Sequence, residues 1–262
     1  MRRNKLVVTL AVIAATAMVP ATAVAIPDPG VELNPEIELP GGPIAVPVEF
    51  CDEQVVTILG TDNPEVLVGN AGVADVIKGK AGNDLIIGLT GEDTICADEG
   101  EDVVLGGGDK DTIFGGDDND VVRAGGGNDI VHGGLGDDVV RGGGGDDIAL
   151  HGDNDEDVVY GGPGQNDLFG GDEADVLIGG SGRDLLHGGQ EVDRLAGRGG
   201  NDSLFGDEDN DRLEAGTGDD VSLRGGEGDD RLDGGPGFDA ECLGANDPDL
   251  DAPDVDTIQR CE

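Results

Sequence analysis

Aspartate recurs along this 262-residue chain at a spacing that can build cation sites. Asp75, Asp84, Asp93, Asp102, Asp111, Asp120, Asp129, Asp138 and Asp147 keep a step of nine residues. Asp157, Asp167 and Asp175 follow with a slip of one residue; Asp184, Asp193, Asp202, Asp211 and Asp220 resume the step, and Asp230 and Asp239 continue it. Ca2+ is a hard cation that takes about six to eight oxygen ligands, and carboxylates and backbone carbonyls both supply them. The chemistry such a series points to is divalent-cation binding, repeated many times. The charge agrees: 58 acidic against 15 basic side chains give a formal net charge of −43. A field of that sign repels nucleic-acid phosphates and anionic membrane surfaces and draws in cations.

The elements that must position these carboxylates follow from what surrounds them. Two residues after most of them comes an aliphatic side chain, as at Ile77, Ile86, Ile95, Val104, Ile113, Val122, Val131, Val140, Leu186 and Leu204, and before each lies a Gly-rich hexapeptide. Glycine permits the positive φ angles of a tight turn, and three residues around a central aliphatic make a short strand. Two such units bring the chain back to its starting side, so one coil spans about eighteen residues. Stacked coils give two parallel sheets with aliphatic side chains inside and a column of turns along each edge. Few aromatics (2%) with so high a charge would otherwise point to disorder. The period predicts an ordered all-β chain instead: a parallel β-roll, a two-sheet β-solenoid of about twenty nonapeptide repeats.

Gly133-Gly134-Leu135-Gly136-Asp137-Asp138-Val139-Val140-Arg141 fits G-G-x-G-x-D-x-U-x, with U a large aliphatic residue. The segments Gly142 to Asp147, Gly179 to Asp184, Gly225 to Asp230 and Gly234 to Asp239 match the whole turn. The array resembles the calcium-binding nonapeptide repeats of the RTX, or haemolysin-type, family over roughly two-thirds of the chain. The resemblance implies multiple Ca2+ ions held between stacked turns, with the recurring aspartates from Asp84 to Asp239 as carboxylate ligands. One site per pair of stacked turns gives on the order of ten to eighteen ions. The chain departs from the large toxins and proteases of that family in showing neither an enzymatic nor a pore-forming region.

Comparing every second repeat tests the two-edged roll. The turns ending at Asp129, Asp147, Asp167, Asp184, Asp202, Asp220 and Asp239 keep a Gly two or three residues earlier: Gly127, Gly145, Gly164, Gly182, Gly200, Gly218 and Gly237. The alternate turns ending at Asp120, Asp157, Asp175, Asp193 and Asp211 carry Asp118, Asp155, Glu173, Glu191 and Asp209 there, with Gly136 and Gly228 as exceptions. The regular edge is expected to bind calcium more strongly, and the acid-substituted edge to be looser or to use extra carboxylates. The residues directly after the aspartates, Val121, Ile130, Val139, Ile148, Val158, Leu168, Val176 and Leu185, are expected to face outward. An aliphatic outer face of that kind suits self-association or a cell-surface or glycan partner. His132, His151 and His187 lie far apart in sequence, with neither Cys nor each other at short metal-ligand spacing, so no zinc or general-base role is expected.

The ends carry processing and capping signals. Residues 1–25 read as a secretory signal peptide: Arg2, Arg3 and Lys5, an apolar run from Leu6 to Val19, then Ala21-Thr22-Ala23-Val24-Ala25. The run is shorter than the ~20 residues of a spanning helix, so no membrane span remains after cleavage. Residues 26–50 hold six prolines and read as an acidic linker. Residues 51–74 form an N-terminal cap, 75–241 the repeat array and 242–262 a C-terminal cap. Cys51, Cys96, Cys242 and Cys261 bracket the array, and of their three pairings two local bridges, Cys51 to Cys96 and Cys242 to Cys261, are the simplest. Bridges tie down the end coils of a solenoid and fit a secreted, extracellular protein. With no Ser-His-Asp ordering, HExxH or phosphate loop, the expectation is a binding module and not an enzyme.

Overall fold

The computed structural model describes residues 49–239 and, outside that span, the short strand segments 38–39, 42–43, 242–243 and 257–259. Residues 1–25, read above as a signal peptide, and most of the residues read as a linker and a C-terminal cap lie outside the described residues. The chain divides into two units, Met1–Val46 and Pro47–Glu262. In the first, Glu38–Leu39 pairs antiparallel with Gly42–Pro43.

The second unit is the β-roll. Two sheets of eleven strands each run parallel, and each strand pairs with the strands one coil before and one coil after it. The first sheet runs from Ile58–Leu59 through strands such as Val76–Ala81, Ile130–Leu135 and Ala149–Asn154 to Cys242–Leu243. The second runs from Val66–Val68 through Leu85–Thr90 and Val139–Gly144 to Thr257–Gln259. Aliphatic residues alternate inward, and Ile77, Ile86, Ile95, Val104, Ile113, Val122, Leu150, Leu168 and Leu223 are all fully buried. They form one continuous core between the sheets. Cores this thin gain stability by stacking, because no single coil can bury its own apolar face.

Turn chemistry explains the glycines. In Gly142 to Asp147 the positive-φ residues are Gly143 (110°) and Gly145 (138°). A Cβ on Gly145 would stand 1.5 Å from the Gly127 carbonyl oxygen of the preceding coil, so the backbones of stacked turns approach as closely as a hydrogen side chain allows.

Two details differ from the sequence reading. Asp147 is followed by an inserted residue, so Leu150 is the buried side chain and Ile148 is 48% exposed; Val221 is a second such insertion. The residue nine after Asp157 is Asn166, which makes Leu168 an inward core residue and not an outward one. Val121, Val139, Val158 and Val176 do line up as half-exposed neighbours on the outside of the second sheet.

At the start of the roll a Phe50–Cys51 and Gln54–Val55 hairpin sits beside the first coils. Cys51 bonds to Cys96 with a Cα separation of 5.8 Å, as the local-pairing argument expects. Cys242 is also disulfide-bonded, while Cys261 lies outside the described residues. Among the described residues no helix is long and apolar enough to cross a membrane.

Candidate metal centre

Folding turns the nine-residue series into two ladders. One edge carries Asp75, Asp93, Asp111, Asp129, Asp147, Asn166, Asp184, Asp202, Asp220 and Asp239; the other carries Asp84, Asp102, Asp120, Asp138, Asp157, Asp175, Asp193, Asp211 and Asp230. Within each ladder the backbone N–H of one residue donates to Oδ1 of the residue one coil later, as from Asp84 to Asp102 at 2.6 Å and from Asp129 to Asp147 at 3.0 Å. From Asp75 to Asp230 these side chains are no more than 3% exposed.

The second carboxylate oxygen is what makes the ladders a candidate cation site. Oδ2 of seventeen aspartates is buried with no hydrogen-bond partner: Asp84, Asp93, Asp102, Asp111, Asp120, Asp129, Asp138, Asp147, Asp157, Asp175, Asp184, Asp193, Asp202, Asp211, Asp220, Asp230 and Asp239. A buried acceptor left unpaired costs about 1–3 kcal/mol, and more when charged. One such oxygen is a defect, but a file of them along each edge is a row of buried acceptors that cations or protons can satisfy. Asp75, at the start, differs because Asn70 donates to its Oδ2 from the backbone at 2.5 Å.

The electrostatics agree. Burial, reinforced for most of them by neighbouring carboxylates, raises the pKa of the ladder aspartates from Asp84 to Asp220 above the usual carboxylate range. On the acid-substituted edge Asp120, Asp157 and Asp211 are pushed up to about 8, Asp138, Asp175 and Asp193 to about 7, and Asp102 to about 6. On the glycine edge Asp147, Asp184, Asp202 and Asp220 reach about 6, with Asp111 higher at about 7.

Seventeen of the eighteen sequence-assigned aspartates therefore stand in the ladders, and Asp167 does not. It opens the strand Asp167–Gly171 opposite Leu185, one residue past the ladder, and Asn166 takes its place. Asn166 Oδ1 accepts the Asp147 N–H at 3.1 Å, while its Nδ2 donates to Asp184 Oδ1 at 3.1 Å. An amide thus keeps the backbone link but removes one charge from the file. Counting nine from Asp157 would have found it; choosing the nearest Asp did not.

The two edges also differ in backbone. Asp118, Asp155, Glu173, Glu191 and Asp209 take φ between 67° and 76°, whereas Gly127, Gly145, Gly164, Gly182, Gly200 and Gly218 on the other edge take 130° to 154°. The difference follows residue type: Asp109 on the glycine edge takes 78°, and Gly100, Gly136 and Gly228 on the acid edge take 110° to 127°, so the eighteen-residue alternation changes turn geometry wherever an acid replaces the glycine. Missed in sequence were Asp98, Asp153 and Asp207, which sit two residues earlier in acid-edge turns. Each pairs with a basic residue from the coil below: Lys78 at 3.4 Å, His132 at 3.0 Å and His187 at 2.9 Å.

The histidines, far apart in sequence, are brought together in space. The coil period brings His132, His151 and His187 into one outward row of the first sheet, Phe114–His132–His151–Phe169–His187–Phe205, with stacked rings 4.6–5.7 Å apart.

No curated protein matches the sequence. The family model for the RTX calcium-binding nonapeptide repeat (4 copies) matches residues 59–95, 72–104, 97–131, 105–140, 114–149, 151–186, 187–221 and 205–240, which together take in both ladders. The chain belongs to the RTX calcium-binding nonapeptide repeat family.

Proposed function

We propose that the protein is a secreted structural or interaction module, without catalytic activity, whose roll closes as Ca2+ enters the two ladders. The observation that carries this reading is the file of seventeen buried Oδ2 atoms without partners. Calcium supplies the positive charge and the flexible oxygen coordination those atoms lack. The residues that would hold it are the seventeen ladder aspartates together with carbonyls of the Gly-rich turns. Asp167 is left out, and Asn166 marks a weaker step.

Metal binding and folding are coupled in this reading, because the carboxylates meet only when the coils stack. The glycine edge, with regular turns and fewer competing carboxylates, binds more strongly than the acid-substituted edge. The Cys51–Cys96 bridge fits an oxidising, extracellular setting. Pairing of Cys242 with Cys261 would tie the other end in the same way. The valine file on the second sheet, Val121, Val139, Val158 and Val176, is where a surface or glycan partner would dock.

Calorimetric titration of metal-stripped protein with CaCl2 at pH 7.5, followed in parallel by far-UV circular dichroism, tests the coupling. On the order of ten or more ions should bind as sheet signal and compaction rise together. Binding of one or two ions, or full sheet content before any calcium is added, would overturn it.

A further inference from the structure

We propose that His132, His151 and Asp153 form a binding site for a zinc-class transition-metal ion, separate from the calcium ladders. His132 and His151 are register partners on the adjacent strands Ile130–Leu135 and Ala149–Asn154. Their rings stack at 4.6 Å. Asp153 follows on the same strand as His151, and its Oδ2 lies 3.0 Å from His132 Nδ1. One ligand atom from each of the three residues falls within 4.8 Å of the other two.

The chemistry selects against calcium and for zinc. Imidazole nitrogen suits Zn2+, Cu2+ and Ni2+, whereas Ca2+ takes oxygen. Zinc bonds of about 2.0–2.2 Å in a tetrahedral arrangement set ligand atoms roughly 3.3 Å apart. The His132–Asp153 pair is already close to that separation, so an ion between them takes the Nδ1 lone pair and a carboxylate oxygen, with the ring proton of His132 carried on Nε2. His151 has to turn out of its parallel stack to complete the set. All three side chains are half-buried at the surface, which leaves room for that turn and for open coordination positions. Two histidines and one carboxylate with open positions is a recognised transition-metal set.

Stacking alone explains the row less well. Phe114, Phe169 and Phe205 occupy equivalent places without a nitrogen. His187 has an acid partner in Asp207 but only phenylalanines as ring neighbours, and so provides an internal control.

The test is titration of the full, calcium-saturated protein with Co2+, read by visible absorption, and with Zn2+, read by calorimetry, both in millimolar CaCl2. One equivalent should bind with ligand-field bands of a low-coordinate N/O site. His132→Phe and His151→Phe keep a ring in the row and should each weaken binding about tenfold or more, whereas His187→Phe should leave it unchanged. Circular dichroism in calcium checks that each variant folds. Asp153→Asn, which suits the positive φ of 84° there, serves as a second variant should a phenylalanine variant fail. Absence of binding, displacement of the ion by excess Ca2+, or binding unaffected by these substitutions would overturn the proposal.

Discussion

Removing calcium exposes the ladders to their own charge, and pH then decides whether the roll survives. The folded pKa values are raised, to about 8 at Asp120, Asp157 and Asp211 and to about 6 at Asp147, Asp184, Asp202 and Asp220. The unfolded chain releases the same protons near pH 3.8–4. A metal-free fold therefore keeps the full stabilising effect of these protons below about pH 4 and loses it as pH climbs through roughly 6 to 8. One pKa unit is about 1.4 kcal/mol. Even ~1 kcal/mol at each of the fifteen ladder aspartates from Asp84 to Asp220 would reach the upper end of the ~5–15 kcal/mol that stabilises a typical domain. Metal-stripped protein is expected to be expanded at pH 8 and to regain sheet and compactness at pH 5.5. Because protons and Ca2+ compete for one set of oxygens, calcium affinity falls over the same interval. Protein stripped on chelating resin, followed by circular dichroism and small-angle scattering from pH 8.5 to 5, provides the measurement. That range stays above the sequence isoelectric point of about 4.1, where precipitation would intrude. Equal sheet content and size at pH 8 and pH 5.5 without metal would refute the reasoning.

Other outcomes follow from single positions. Asn166→Asp restores the missing carboxylate and should add calcium affinity on the glycine edge, seen by calorimetry, while lowering metal-free stability at pH 8. Gly200→Ala places a Cβ 1.3 Å from the Gly182 carbonyl oxygen at φ 145°, so thermal melting in calcium should show a loss of about 1–3 kcal/mol or more. Leu186→Ala empties a fully buried core position and should cost about 2–5 kcal/mol by calcium-saturated denaturation. Replacing Cys51 and Cys96 with Ser opens a 45-residue loop and should cost about 2–4 kcal/mol, with faster hydrogen exchange confined to the first coils.

The roll, its coil length and the Cys51–Cys96 bridge were legible in sequence because a period of two strands per eighteen residues has few ways to bury its aliphatic face. The ladders were legible for the same reason, with Asp167 the exception: the position nine after Asp157 holds Asn166, and the aspartate beside it lies one residue out of register. The histidine row was not legible. Its members are 19 and 36 residues apart, and only coil stacking converts those intervals into ring contact. The pairing of Asp98, Asp153 and Asp207 with Lys78, His132 and His187 was hidden likewise, since it links a turn to a strand one coil away.

The hand-off from backbone N–H to the next coil's Oδ1 has a direction. Asp84 relies on Asp102, Asp102 on Asp120, and so on toward Asp230. In this bond each coil leans on its successor, whereas the strand amides bind in the opposite sense, as from Val103 N–H to the Asp84 carbonyl at 2.9 Å. A chain emerging N-terminus first presents its early coils before their acceptors exist. Each Oδ1 acceptor is therefore the last group supplied to its coil as the chain emerges, so every early coil waits on its successor for this one bond.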